Sequence, residues 1–485
     1  MIVMKFGGTS VGSAERYQSV AKLVGGYREK QPVVVVSAMS GTTDWLLNTA
    51  RTVSEGGRNL PEPINAERLI AEFRSRYKKV VEETITSPEI RSRTFSAVAA
   101  QLHHLLRLLT GIEMLGELSP RSLDAVAAFG EKLSSKIAAA ALQDAGFQAE
   151  AISTEELIVT DAAFNKAVPL MGPTRAKCRA RLLPLLEKGV IPVVTGFIGA
   201  TEEGITTTLG RGGSDYSASI IGAALDSEEI WIWTDVDGVM SADPRLVVQA
   251  RSLRRISYAE AGELSHFGAK VIHPLTVLPA VEKGIPLYIK NTFNPEFPGT
   301  RIDGSDQTAG GLVKAVASTK NLALVTVAGS SVLAVPGIAA RVFAIVSDQK
   351  VNVYMISHAS SGHDLCFVVE NKAAQPLVQS LLKEFERELA RKEIESITAD
   401  SQVTIIAVVG AGMRGTPGVA GRLFSTLGRH GINIIAIAQG SSELNISLIV
   451  AADDEKAAVQ TIHNEFLSLV GLSKSVRHHV ESWTR

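Results

Sequence analysis

The last third of the chain repeats itself at a constant offset of 81 positions, without a gap. Gly329 answers to Gly410, Pro336 to Pro417, Gly337 to Gly418, Arg341 and Phe343 to Arg422 and Phe424, Asn352 to Asn433, and Ser360 and Ser361 to Ser441 and Ser442. Each copy reads as strand (LALVTV, VTIIAVV), Gly/Pro loop, amphipathic helix (IAARVFAIVSDQ, VAGRLFSTLGRH), strand (VNVYMIS, INIIAIA), strand (LCFVVE, ISLIV) and a second helix. A unit of under about a hundred residues with a sheet face to bury gains from packing on its twin, so the pattern predicts paired small βαββαβ domains. Duplication by itself requires no ligand, and a purely structural pair stays open at this point.

Upstream, from Met1 to about Ile302, short apolar runs alternate with amphipathic helical stretches: VVVVS, IPVVTGF, IWIWTD and PLYIK. That alternation predicts an α/β fold, a mostly parallel sheet sandwiched by helices. The stretch from about Asn59 to Glu117 is charged and helical throughout and reads as an excursion beside the sheet. NPEFPGTRIDGSDQTAGG, from Asn294, concentrates Pro, Gly and polar residues and marks a linker or domain edge. The expected division is 1–300, 301–400 and 401–485, since 485 residues exceed one core.

With 49 Lys+Arg against 50 Asp+Glu, nothing favours nucleic acid or an anionic membrane, so any anion must be held locally. The only two cysteines, Cys178 and Cys366, lie far apart and outside any metal-ligand spacing; no disulfide and no protein-held metal is expected, and the cytoplasm is the expected setting. A strand-like run starts at Ile2, leaving no room for a signal peptide, and no stretch reaches membrane-spanning length.

Three segments carry chemistry. KFGGTSVGS sets Lys5 at a strand end, Gly7 and Gly8 in a turn, and Thr9 and Ser10 near a helix start. It reads as a phosphate site, or else as an ordinary capped turn with a solvated lysine; it is not a Walker A loop. TTTLGRGGSDYSA again precedes a helical run, and Gly210, Gly212 and Gly213 around Arg211 suit a carboxylate or a phosphate. Asp215 among these donors makes sense if it orients Lys5 or helps hold magnesium, while a structural turn is the plain alternative. IWIWTDVDGVMSADPR ends a strand in Thr234 and Asp235, where ligands of open α/β sheets lie, although Asp and Gly also form turns for backbone reasons alone.

Together KFGGTS, GRGGSD and TDVDG with DPR resemble the amino-acid kinase family, in its aspartate kinase branch. SAMSGTTD, FGEKLSS and SHFGAKVIHP support the likeness, and the doubled C-terminal unit resembles paired ACT domains. The resemblance implies an enzyme that uses ATP with Mg²⁺ to phosphorylate L-aspartate, the first step towards lysine, threonine and methionine, under feedback by an end product. It implies Lys5 and Asp215 at the reaction centre, and Ser37, Thr43, Glu131, Arg211 and Ser214 around the amino acid, with Glu131 reading the ammonium. Gly7, Gly8, Thr234, Asp235, Arg245 and Lys270 would contact ATP. Relatives often carry an aromatic where Met240 stands, which puts the adenine contact there in doubt.

Asn433, Gln439 and Ser441 resemble the effector strand of ACT domains, while the first copy departs from it with His358 in place of Gln439. TDVDG and AIAQGSSE resemble threonine-sensitive enzymes, making threonine the favoured inhibitor and lysine the second. A homodimer or larger homo-oligomer is implied. The readings that compete with this one are a catalytically silent amino-acid sensor and a kinase for glutamate or another acid. VVGAGMRG has the GxGxxG spacing at Gly410, Gly412 and Gly415, but the first copy keeps only Gly329, and the roughly seventy residues that follow are too few for a dinucleotide domain. A fused dehydrogenase, which some aspartate kinases carry, is therefore not expected.

Overall fold

The computed structural model describes residues 1–55, 65–268, 274–304, 311–329, 337–358 and 364–467. The chain forms two compact units, Met1–Gly238 with Ile272–Gly304, and Val239–Val271 with Ser305–Arg485. The first contains β1 (Ile2–Phe6), β2 (Pro32–Val36), β3 (Ala149–Ile152), β4 (Ile191–Thr195), β5 (Ile198–Ala200), β6 (Thr206–Thr208) and β7 (Glu229–Thr234); after β8 (Arg255–Ser257) of the second unit come β9 (Leu287–Asn291) and β10 (Thr300–Asp303). Its main sheet runs β3-β4-β2-β1-β7-β9-β10. β1 is parallel to both neighbours, which sets Lys5 level with Val35 of β2 and Ile232 of β7. β10 runs antiparallel to β9, so part of the expected linker is strand.

Every residue of β1 and β2 is buried, as a parallel sheet covered on both faces requires. Parity then sorts β1. Ile2, Met4 and Phe6 enter a core shared with Tyr17, Leu46, Leu133 and Ile137. Val3 and Lys5 fall on the opposite face. The expected helical excursion is present as Ala66–Thr84 and Pro88–Leu115, capped by Asn65 and Ser87; residues 56–64 lie outside the described residues.

The second unit holds β11 (Ala315–Ala328), β12 (Met355–His358), β13 (Asp364–Glu370), β14 (Ser396–Val409), β15 (Ala436–Gln439) and β16 (Asn445–Ala451), ordered β12-β13-β11-β14-β16-β15. VNVYMIS and INIIAIA become strand only at their ends, whereas LALVTV and VTIIAVV extend backwards into two long antiparallel strands. Register shifts between Thr319 and Leu324 divide that pair into halves. Residues Leu322–Ala328 pair with β13, while Val403–Val409 pair with β16. The upstream half of each long strand serves the other copy: Val313 and Val316 pack into the core of the second repeat, and Ile394 and Ile397 into that of the first. The outermost strands approach one another, the Ser357 hydroxyl donating to the Ile437 carbonyl at 3.2 Å.

The repeat survives in detail. Arg341 pairs with Glu384 and covers the Phe385 ring at 4.4 Å; Arg422 pairs with Glu465 and covers Phe466 at 4.6 Å. Gly329 lies against Glu393–Glu395 and Gly410 against Leu312–Lys314, the corresponding entering segments. A Cβ at Gly410 would stand 2.4 Å from the Leu312 carbonyl oxygen, and one at Gly412 2.5 Å from that of Gly311, so close backbone packing explains the first two glycines of GAGMRG. Gly410→Ala is expected to lower unfolding stability by about 1–3 kcal/mol through overpacking, read as a shift in urea midpoint. Gly421→Ala, in a helix with open space beside it, is expected to be neutral or slightly stabilising.

Candidate active site

Strand parity delivers Lys5 to the face covered by the helix Gly213–Leu225, and that helix carries Asp215 in its first turn. The two meet as an ion pair, Nζ to Oδ1 2.5 Å, with side chains 11% and 18% exposed. The turn before the helix needs left-handed backbone at Gly210 (φ +75°) and Gly212 (φ +72°), which aims the helix N-terminus and the exposed Arg211 at the same space. No acidic side chain among the described residues pairs with Arg211. A cavity of about 560 Å³ opens there, lined by Lys5, Gly8, Ser37, Thr43, Glu131, Arg211, Ser214 and Asp215. All seven residues expected around the amino acid and the reaction centre are thus brought together.

Glu131 is the electrostatic outlier. It is 3% exposed, Oε1 accepts from the Ala38 amide at 3.1 Å, and Oε2 is buried without a hydrogen bond among the described residues. Burial outweighs the backbone donors of Ala38 and of Glu131 itself and pushes the carboxyl up to about 8. At neutral pH the carboxyl is therefore mostly protonated, and a cation seated beside it would favour the ionised form.

At the glycine turn the Gly7 amide is already committed, donating to the Trp233 carbonyl at 3.2 Å. Gly8 makes no such backbone bond among the described residues and reaches the cavity; a Cβ on it would meet the Ala38 carbonyl oxygen at 2.9 Å. Ser10, fully buried, shares a 2.7 Å hydrogen bond with the Thr292 hydroxyl. Thr234 and Asp235 stand at the end of β7, beside β1 but not on the cavity lining, with the Thr234 hydroxyl donating to Asp235 at 3.1 Å. Asp237 Oδ1 accepts from the amides of Asn291 and Asn294, at 2.8 and 3.1 Å, tying the loops after β7 and β9 together. Arg245 belongs to the second unit, where it is paired with Asp243. Lys270 lies outside the described residues.

In the second unit Asn433 precedes β15, Gln439 ends it and Ser441 follows, all three exposed. His358 ends β12 at the matching place, and is also exposed.

A profile of the amino acid kinase family matches residues 1–291, and one of the ACT domain matches 325–385 and 406–466. The chain belongs to the amino acid kinase family. It is 35% identical over 470 residues to bifunctional aspartokinase/homoserine dehydrogenase 2, chloroplastic, of Arabidopsis thaliana, covering 96% of this chain and 50% of that protein. The chain spans about half the length of the first curated relatives it matches. With aspartokinase 3, chloroplastic, of the same plant it shares 34% over 466 residues, 96% of this chain and 81% of that one. Among solved structures it resembles E. coli aspartokinase III in complex with lysine and aspartate (TM-score 0.79, 28% identity, 96% of this chain and 100% of that one) and in complex with aspartate and ADP (0.77, 29%, 96% and 99%).

The sequence reading of this amino acid kinase missed Asp124, Asn165, Phe197 and Thr208, which also line the cavity. Only Thr208 had a local signal, as the last of three threonines before LGRGG. Asp124 sits in the helix Pro120–Ala127 with no motif to announce it.

Because the folded-state value for Glu131 is raised, its stabilising contribution is complete below the ordinary carboxylate range and is lost as pH rises through about 8. Ligand-free protein is therefore expected to lose stability in urea between pH 5 and pH 8, and Glu131→Gln to remove most of that slope. An identical slope in the variant would contradict the burial argument.

Proposed function

We propose that this chain is an aspartate kinase, transferring the γ-phosphoryl group of ATP to the side-chain carboxylate of L-aspartate. The observation that carries the reading is the meeting of the Lys5–Asp215 pair, Arg211 and Glu131 on one cavity. An amino acid with two carboxylates and one ammonium needs two cationic contacts and one anionic contact, and Lys5, Arg211 and Glu131 supply that set. Arg211 takes a carboxylate of the substrate, Glu131 reads the ammonium, and Ser37, Thr43 and Ser214 complete the pocket. Gly7, Gly8, Thr234, Asp235, Arg245 and Lys270 are assigned to ATP, Gly7 by shaping the turn rather than through its engaged amide.

The acceptor carboxylate, with a reference pKa near ~4, is ionised at neutral pH and needs no general base. The chain's task is to bring two anions together in line. Lys5 faces the transferring phosphoryl group, Asp215 fixes its Nζ, and the helix start at Gly213 adds positive potential. The reading takes Mg²⁺ as arriving on the nucleotide with most of its waters. Mg²⁺ would neutralise phosphate charge there, and Asp215 would help to hold it.

The regulatory reading assigns Asn433, Gln439 and Ser441 to an end-product amino acid bound by the paired ACT domains. Threonine is favoured on the strings TDVDG and AIAQGSSE, and lysine stands second, supported by its presence in the E. coli neighbour. We keep 1–300, 301–400 and 401–485 as the functional division, a homodimer or larger assembly as the working form, and the cytoplasm as the setting, in keeping with free thiols at Cys178 and Cys366. Among the described residues no helix is long and apolar enough to cross a membrane. The reaction would open the route to lysine, threonine and methionine.

ADP release with Mg·ATP is expected to depend on L-aspartate, not L-glutamate, and to be suppressed by millimolar threonine; suppression by lysine alone would reverse the choice of effector. No turnover with any acid would favour a silent sensor. Lys5→Ala is expected to lower kcat by about 100-fold or more, with milder effects on aspartate binding. Near-normal kcat in that variant would sink the assignment of Lys5.

A further inference from the structure

The Arg211 turn hangs from an anchored hairpin. Each threonine of β6 spends its hydroxyl on a different neighbour. Thr206 donates to Glu155, Thr207 shares a 2.7 Å hydrogen bond with Thr160, and Thr208 donates to Asp124 Oδ1 at 2.5 Å. Asp124 is the partner that ties β6 to the Asn165 loop. Its Oδ2 accepts the amides of both Thr208 and Asn165 at 2.9 Å, so one carboxylate 1% exposed holds three donors from two segments. Those segments also touch each other: Ala167 donates its amide to the Thr208 carbonyl at 2.9 Å, and a Cβ on Gly210 would stand 3.0 Å from the Asn165 carbonyl oxygen. Arg211 follows Thr208 by three residues, through a turn already fixed at Gly210 and Gly212. Removing the Asp124 carboxylate would take the acceptor from the buried Thr208 amide and from the part-buried Asn165 amide, and the segments carrying them would lose their shared tie. Burial pushes this carboxyl upward while its three donors pull it back, as a carboxylate used for internal bonding would behave.

We propose that Asp124 is a positioning residue for recognition of the acidic substrate: by tying the Thr208 strand end to the Asn165 loop it sets where Arg211 stands over the cavity. The inference rests on the reading of Arg211 as the carboxylate clamp. It also predicts a direction, because the groups assigned to ATP at β1 and β7 take no part in this network.

The test compares wild type with Asp124→Asn, Thr208→Val and Thr208→Ser. Asp124→Asn is expected to raise KM for L-aspartate about tenfold or more, with KM for ATP within about twofold, since a displacement near 1 Å can cost about 100-fold. Thr208→Val, which loses one of the three bonds, is expected to show a smaller shift of the same kind, and Thr208→Ser to restore wild-type values. Equal rises in both KM values, or a lower urea midpoint with both KM values unchanged, would overturn the positioning role. Should Asp124→Asn fail to fold, the Thr208 pair decides alone: a Val variant matching Ser on KM for aspartate overturns the proposal. Calorimetric titration of L-aspartate separates this inference from the kinase reading. Binding without turnover in wild type would defeat the kinase reading only, equal dissociation constants in wild type and Asp124→Asn would defeat the role of Asp124 only, and no binding by wild type would defeat both.

Discussion

A lysine held at the carboxyl end of a buried central strand by a carboxylate from the first turn of a helix organises the first unit. β1 can carry Lys5 there only because strand parity sends its apolar residues to one face and Lys5 to the other. An ammonium so little exposed would cost several kcal/mol without a partner, which is why Asp215 must stand in the helix that covers that face. The same helix needs a turn of left-handed glycines to begin, and that turn displays Arg211. One ion pair thereby fixes the strand, the helix start and the second cation in a single arrangement. The electrostatic counterweight is Glu131, whose buried, half-satisfied carboxyl would be ionised by a positive charge seated beside it.

Much of this was legible because it is local. A strand running into KFGGTS, a helix preceded by GRGGSD and a repeat at fixed offset are all contiguous strings, and their residues reappear where the strings put them. What stayed hidden is non-local. Asp124 looks like any helical aspartate until the fold brings Thr208 and Asn165 to it, from 84 and 41 positions away. Gly7 looked like a phosphate donor, but its amide is taken by Trp233 on a neighbouring strand. Nothing in the composition marks Val239 or Val271 as the limits of an excursion that clusters with the C-terminal part. Its helix Tyr258–His266 begins with a capping box, and Glu260 of that box also accepts from Lys314 and the Ala411 amide, bonds set by tertiary placement alone.

The GxGxxG string shows why a spacing without its context misleads. Gly410 and Gly412 are small because the chain at 311–314 presses on them, and Gly329 is small for the matching reason in the other copy. A glycine required by backbone contact and a glycine required by a pyrophosphate look alike in sequence. They differ in what a Cβ would strike.

That contact also says what the duplication became. The segment entering β14 completes the first core, and the segment entering β11 completes the second, so Val313 and Val316, which the division at 400 assigns to the first repeat, finish the second. The boundary near residue 400 divides the sequence but not the sheet. A fragment of 401–485 alone would lack Val313 and Val316 and leave the edge of β14 open where β11 should pair, exposing both apolar surface and unpaired backbone groups. Two repeats built this way share their central strands, and the register shifts between Thr319 and Leu324 fall where those strands change partners.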